Sequence, residues 1–246
     1  FLAADDVWHH EKLSYCMALV TAETKLCTHD LWWVDGTGAQ LDSRSRVAEV
    51  LGRAEPRQVG GLIERGILEH ADYVWLGSAF GVSRSRGNID KFITFCEQRD
   101  YLDTCYQDWP LAVWVALEPS GDYAFIKQKL FEYRIHGENY SGSSQTLDKL
   151  RRNMTKSRDT MRLIEEIVVA KHGSVATAKR YQQMRVLNDL LLSTTLIGRK
   201  GILGQLIHAI PVLRHRIIRI KILLRVSLAF CIGPEWAHAI IEKLKR

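Results

Sequence analysis

The pattern of apolar and polar positions divides the chain into two parts of different character. Up to about residue 146, short apolar runs of helix and strand type follow one another. Residues 8–19 read as a helix, and Leu26 to Val34 as a strand rich in aromatic side chains. Asp35-Gly36, followed by Gly38, signals a turn between two strand-like runs. Ser43–Gln58 is polar and reads as loop or irregular helix, and Leu62–Glu69 as a short helix. Tyr73–Val82 has the content of a buried strand, while Ile89–Glu97 and Asp108–Leu117 are helical. After a break at Gly121, Tyr123–Tyr133 forms a last strand, and Gly137–Ser144 is a loop of Gly, Ser and Asn.

From Leu147 onward the period becomes helical. Leu147, Leu150, Met154, Met161, Ile164 and Val168 recur on one helical face, with Lys and Arg between them. Gly173 ends this helix, and Ser174 can cap a second that runs towards Thr195. Residues 196–246 carry two competing periods. Ile217, Ile220, Leu224 and Leu228 share a helical face, whereas Ile218, Ile220 and Ile222 alternate as in a strand. The longest uncharged run there, Ile202–Leu213, falls short of the roughly 18–20 residues that span a bilayer. The expected organisation is an α/β domain over residues 1–146 and a helical, basic tail over 147–246.

Charge sharpens that division. The chain of 246 residues holds 34 Lys and Arg against 28 Asp and Glu, a net +6. Residues 196–246 hold ten of the basic residues against Glu235 and Glu242, a local +8, which leaves −2 for the rest. Such a tail suits an anionic lipid surface. Aromatic residues are not interleaved with its Arg and Lys, and the body has no positive excess, which argues against nucleic acid as the partner. Five scattered cysteines (Cys16, Cys27, Cys96, Cys105 and Cys231) form no C-x-x-C pair and suit reduced thiols in a cytoplasmic setting. Phe1-Leu2-Ala3-Ala4 lacks the basic region and long apolar run of a secretory signal. It reads instead as a strand end delivering Asp5-Asp6 to a loop, as if the chain began inside a larger domain.

Three polar clusters carry candidate chemistry. Asp5-Asp6-Val7-Trp8 places paired carboxylates at a strand end, where Mg²⁺ or Mn²⁺ could be held with phosphate oxygens; such pairs also serve as helix caps. Asp108-Trp109-Pro110 opens an apolar helix. Its carboxylate could take a proton from a sugar hydroxyl with the Trp ring as a platform, or simply cap the helix. Tyr133-Arg134-Ile135-His136, running on to Asn139 and Ser141, combines a guanidinium fork for phosphate with an imidazole and a Gly-rich loop. Two other patterns fail. His10-Glu11 has Ser14 where a zinc-protease motif needs its second His, and Gly36-Thr37-Gly38 has Leu41 where a dinucleotide fingerprint needs Gly.

In order and spacing these clusters resemble bacterial family-2 glycosyltransferases of the Rossmann-like GT-A fold, especially the rhamnosyltransferase-like branch of surface polysaccharide synthesis. The resemblance covers about residues 1–146. It includes Lys12-Leu13 after the acidic motif, the Asp35-Gly36-Thr37-Gly38 turn, Leu76-Gly77-Ser78-Ala79 as an acceptor strand, and the Asp108-Trp109 and Tyr133–Ser141 motifs. It implies inverting transfer from a nucleotide-sugar donor to a hydroxyl of a glycan or lipid-linked acceptor. Asp108 would be the catalytic base, and Trp109, Gly77 and Ser78 the acceptor contacts. Tyr133, Arg134 and His136 would meet the donor diphosphate, and Asp5, Asp6 and His136 the metal. The family carries a further acid two residues before Asp5, where this chain has Ala3. It also has nucleotide-binding strands and helices before that point, roughly 90 residues at about 30 per βαβ unit. The rival expectation is a partial chain acting as an inactive acceptor- or membrane-binding module. Either way the expected location is cytoplasmic, peripheral on the inner face of the plasma membrane.

Overall fold

A computed structural model describes residues 7–41, 46–70, 79–135, 146–196, 199–213 and 219–244. The elements run β1 (Val7–Trp8), α1 (Lys12–Leu19), β2 (Thr24–Asp35), α2 (Arg46–Arg53) and α3 (Pro56–Arg65). A π-helical turn (Gly66–His70) then leads to β3 (Phe80–Val82), α4 (Ile89–Glu97), a 3₁₀ turn (Leu102–Thr104) and α5 (Asp108–Ala116). After β4 (Asp122–Ile135) come α6 (Leu147–Ala170), α7 (Val175–Ser193), α8 (Arg199–Leu213), α9 (Arg219–Ile232) and α10 (Pro234–Leu244). The fold is mixed α/β, with one four-stranded sheet and a majority of helix. The sheet order is β1-β4-β2-β3, with the central β2 and β4 parallel and both outer strands antiparallel to their neighbours.

The sheet centre follows from β2. Its first eight residues are all buried, so the strand reads as a continuous run rather than an alternation, as a covered parallel strand must. One cover is α5, in which every residue from Pro110 to Ala116 is buried. A helix that is apolar all round needs neighbours on every side. It finds them in β2, the π-helical turn and α6. Full burial of each Val or Leu in such a place stabilises by roughly 1.5–3 kcal/mol. Gly121, at φ 104°, turns the chain from α5 into β4, and a Cβ there would lie 3.0 Å from the Glu23 carbonyl. Only Gly accepts both that dihedral and that approach.

The helical pair α6 and α7 is fixed by two side-chain caps, of which the sequence indicates Ser174. Thr146 Oγ1 accepts from the Lys149 amide at 3.2 Å, and Ser174 Oγ from the Thr177 amide at 3.1 Å. Met161, Ile164, Ile167, Val168 and Tyr181 share one apolar core with β2 and α5. A second core joins Val186 and Leu190 of α7 to Ile202, Ala209, Ile222, Val226, Ala229 and Ala237.

Four local expectations change. Of residues 8–19, read as one helix, Trp8 belongs to β1 and α1 begins at Lys12. The polar stretch 43–58 contains α2 and the start of α3, whose Glu55 and Gln58 form a reciprocal capping box before Pro56. In the segment 73–82, strand is described only at Phe80–Val82. The two periods competing after residue 196 resolve as helix: α9 contains Ile220 and Ile222, and Ile222, Val226 and Ala229 bury one face at spacings of four and three. No described helix is long and apolar enough to cross a membrane.

Candidate functional site at the carboxyl ends of the parallel strands

Asp108 is the first residue of α5, half-buried, with Oδ1 accepting from the Trp109 amide at 2.9 Å. A carboxylate there is favoured by the exposed amides of the first turn. The chain that delivers it is tied to α6. Thr104 Oγ1 donates to Asp159 Oδ2 at 2.6 Å, and the Tyr106 amide donates to Thr160 Oγ1 at 2.8 Å. Arg158 Nε holds the other Asp159 oxygen at 2.7 Å. Trp109 packs edge to face on Tyr181, with centroids 6.2 Å apart. Tyr181 in turn donates to the Ile67 carbonyl at 2.6 Å, and burial pushes its phenol up to about 12. The start of α5 is thus positioned by α6 and α7.

At the other end of α5 stands Lys25, in the second position of β2 and almost fully buried. Its ammonium donates to the Glu118 carbonyl at 2.8 Å and the Ala116 carbonyl at 3.4 Å, and lies 4.7 Å from the Tyr123 ring. A cation on the last carbonyls of a helix answers the negative end of its dipole. Burial pulls the Lys25 pKa down, against the attraction of Glu64 and Glu118.

Tyr133 and Arg134 lie at the carboxyl end of β4. The register pairs Trp33 with Tyr133 and Val34 with Arg134 on the β2 side. On the β1 side it pairs Val7 with Glu132 and Trp8 with Phe131. Val7 and Trp8, the described residues of the first sequence cluster, thus lie beside the segment of β4 that leads into the third. Trp33 meets Tyr133 edge-on at 5.0 Å within an apolar group that includes Leu31, Phe131 and Trp8. Lys12 is buried with its ammonium 4.0 Å above the Trp8 ring. The Asp35 turn closes the same end: Asp35 Oδ1 accepts from the amides of Thr37 at 2.8 Å and Ala39 at 3.0 Å. Those bonds hold its carboxyl below the usual range, with the Thr37 hydroxyl bond the largest contribution.

Asp5, Asp6, Gly77, Ser78 and His136 lie outside the described residues, as do Asn139 and Ser141. Ala79, which follows Ser78, is buried, and its carbonyl accepts from Thr28 Oγ1 at 3.1 Å. Asp108-Trp109 and Tyr133-Arg134 fall in different apolar groups, the first with α5, α6 and α7 and the second on the sheet. Among the described residues, no group of three or more His, Cys, Asp or Glu is placed to hold a metal ion.

Sequence reasoning missed His29 and Asp30, a buried polar pair in the centre of β2. His29 Nδ1 lies 2.8 Å from the Asp30 carbonyl, and Asp30 Oδ1 accepts from the Leu31 amide at 2.8 Å. The available signal was their position: two adjacent titratable residues inside an otherwise strand-like run. Also missed was the pair Cys16 and Cys27, thiols on α1 and β2 that influence each other's ionisation. The Cys27 thiol, with the nearby Lys12 charge, holds the Cys16 thiol below its ordinary value against the effect of burial, while Cys27 is raised. An open hollow of about 530 Å³ between α4, α6 and α7 contains none of the predicted residues. Its Arg99, Arg162 and Arg185 are engaged by Glu165 and Glu166, at 2.7–3.2 Å, so it is an ion-paired seam between helices.

The fold defines a mixed α/β protein whose parallel strands end at an aromatic and basic cluster. No protein-family profile, curated protein or solved structure compared with the chain matches it.

Proposed function

We propose that the chain is an inverting glycosyltransferase with a GT-A fold, transferring a sugar from a nucleotide-sugar donor to a hydroxyl of a glycan or lipid-linked acceptor. The observation that supports the reading is the strand register: β4 lies between β2 and β1, with Tyr133-Arg134 paired to Trp33-Val34 and the preceding Phe131-Glu132 paired to Trp8-Val7. In open α/β sheets, ligands bind outside the carboxyl ends of parallel strands. The described parts of two motifs, the Asp35 turn and Tyr133-Arg134, therefore lie at the same end of the parallel strands. Another, Asp108-Trp109, opens α5.

In this reading Asp108 takes the proton from the acceptor hydroxyl as its oxygen bonds to the anomeric carbon of the donor sugar. The bond to the donor diphosphate breaks on the opposite face, which inverts the configuration. Trp109 offers its ring to the acceptor sugar, with Gly77 and Ser78 lining the same subsite. Arg134 presents its guanidinium to the departing diphosphate, with Tyr133 and His136 beside it. Asp5, Asp6 and His136 would hold Mg²⁺ or Mn²⁺, which neutralises the same diphosphate.

Asp108→Asn tests the base assignment. A general base contributes about 10²–10⁴-fold in rate, so transfer from a nucleotide-sugar should fall by that factor while calorimetric binding of the nucleoside diphosphate is unchanged. Retained turnover refutes the assignment. Ala3 favours a second reading, an acceptor- or membrane-binding module without turnover. Its signature is acceptor binding with no nucleoside diphosphate binding in the presence of Mn²⁺.

A further inference from the structure

The last three helices leave much of their apolar surface uncovered. Among the described residues, ten of the eighteen exposed large apolar side chains belong to residues 196–246. They are ordered by the helix period. On α8, Leu203, Ile207 and Ile210 are 50%, 61% and 46% exposed at spacings of four and three, whereas Ile202 and Ala209 face the core. On α10, Trp236 and Ile240 repeat the arrangement at a spacing of four, with Ala237 inward and Trp236 70% exposed. On α9, Leu224 is exposed while Ile222 and Val226 are buried. Each helix is therefore two-faced, with one apolar face used to build the second core and another turned to solvent.

The same residues carry the chain's positive charge. Ten Lys and Arg stand against two Glu from 196 to 246, while the remaining residues sum to −2. Exposed apolar stripes in a segment with a cationic excess are what an anionic bilayer surface selects, because apolar side chains enter the headgroup boundary and the net positive charge is drawn to lipid phosphates. Trp favours that boundary because its ring is apolar with one polar N–H. A second copy of the chain is a poorer occupant, since two segments that each sum to +8 repel. A nucleic acid would engage the charge but would leave Leu203, Ile207 and Ile210 without a partner. No described helix can cross the bilayer, so the contact is interfacial.

We propose that α8, α9 and α10 form a docking surface for an anionic lipid bilayer, entered by the Leu203–Ile207–Ile210 stripe and by Trp236. The inference is independent of the catalytic reading. The test is co-sedimentation of the full chain with vesicles of phosphatidylcholine alone and of phosphatidylcholine mixed with phosphatidylglycerol, across a salt series. Binding should require phosphatidylglycerol and weaken with salt. Ile207→Glu and Trp236→Glu should each reduce the partition coefficient at least tenfold at an unchanged melting temperature. Val175→Glu, on an equally apolar and even more exposed position of α7, should leave it unaltered. Three results overturn the proposal: no binding to phosphatidylglycerol vesicles, an equal loss with Val175→Glu, or a solution dimer that Ile207→Glu dissolves. The last would assign the face to a second copy.

Discussion

Replacing Tyr181 by Phe removes a single oxygen from a side chain that ties α7 to the π-helical turn and braces the residue next to Asp108. The hydroxyl donates to the Ile67 carbonyl at 2.6 Å, and both residues are fully buried. The ring remains in Tyr181→Phe, so its edge-to-face packing on Trp109 persists and the loss is that of one buried hydrogen bond. A buried acceptor left without its donor costs about 1–3 kcal/mol. Tyr181→Ala also empties the ring's volume and should cost about 3–5 kcal/mol, the range for deleting a buried aromatic. Urea unfolding followed by circular dichroism measures both, with the slope unchanged if only the native state is affected. The near-ultraviolet signal separates them further: Trp109 keeps its environment in the Phe variant and loses it in the Ala variant. A Phe variant within about 0.5 kcal/mol of the parent would refute the reasoning, because surface-like indifference is incompatible with a bond that holds two elements together.

The other predictions concern charge and thiol chemistry. Lys25→Met removes the cation from the carboxyl end of α5 and should destabilise by about 1.5–3 kcal/mol in the same assay, the range for hydrogen bonds to a charged group. Glu166 is raised by burial but more strongly lowered by hydrogen bonds from Tyr101 and Arg99, so its folded pKa lies below the unfolded value. Its contribution is complete above about pH 4.3 and is lost as the pH falls through the folded value. Glu166→Gln should therefore cost about 1 kcal/mol near neutrality, a figure discounted for solvent exposure, with the gap to the parent closing as the pH drops towards 3. Cys16 should be alkylated by iodoacetamide faster than the more exposed Cys231 near pH 7, as read by peptide mass, and Cys27→Ala should abolish that preference.

How much could be read from the chain varied with the range of the forces involved. The helix at Ile89–Glu97 appears with the boundaries its periodicity implies, and the cap at Ser174 acts within three residues of itself. Those are local effects, and a linear pattern records them. The pairing of Tyr133 with Trp33 depends instead on two strands far apart in sequence, which no motif spacing encodes. Lys25 looked like any polar residue at the start of a strand, and only the arrival of the α5 carboxyl end gives its charge a place. The basic tail was legible as composition, while the division of each helix into an inward and an outward apolar face emerged only once Val186 and Leu190 had claimed one of them.

The parallel pairing of β2 with β4 also has a consequence for how the chain comes to be folded. Its first register partners, Thr24 and Asp122, are separated by 98 residues, whereas α6 and α7 form a hairpin from adjacent sequence. Closing so long a loop costs entropy before any strand contact repays it, so the sheet centre should close late and slowly. During synthesis at roughly 5–20 residues per second, β2 would wait about 5–20 s for β4, with the edge that it later buries against that strand unpaired. That interval, more than the finished structure, sets the chain's exposure to aggregation and its need for a chaperone.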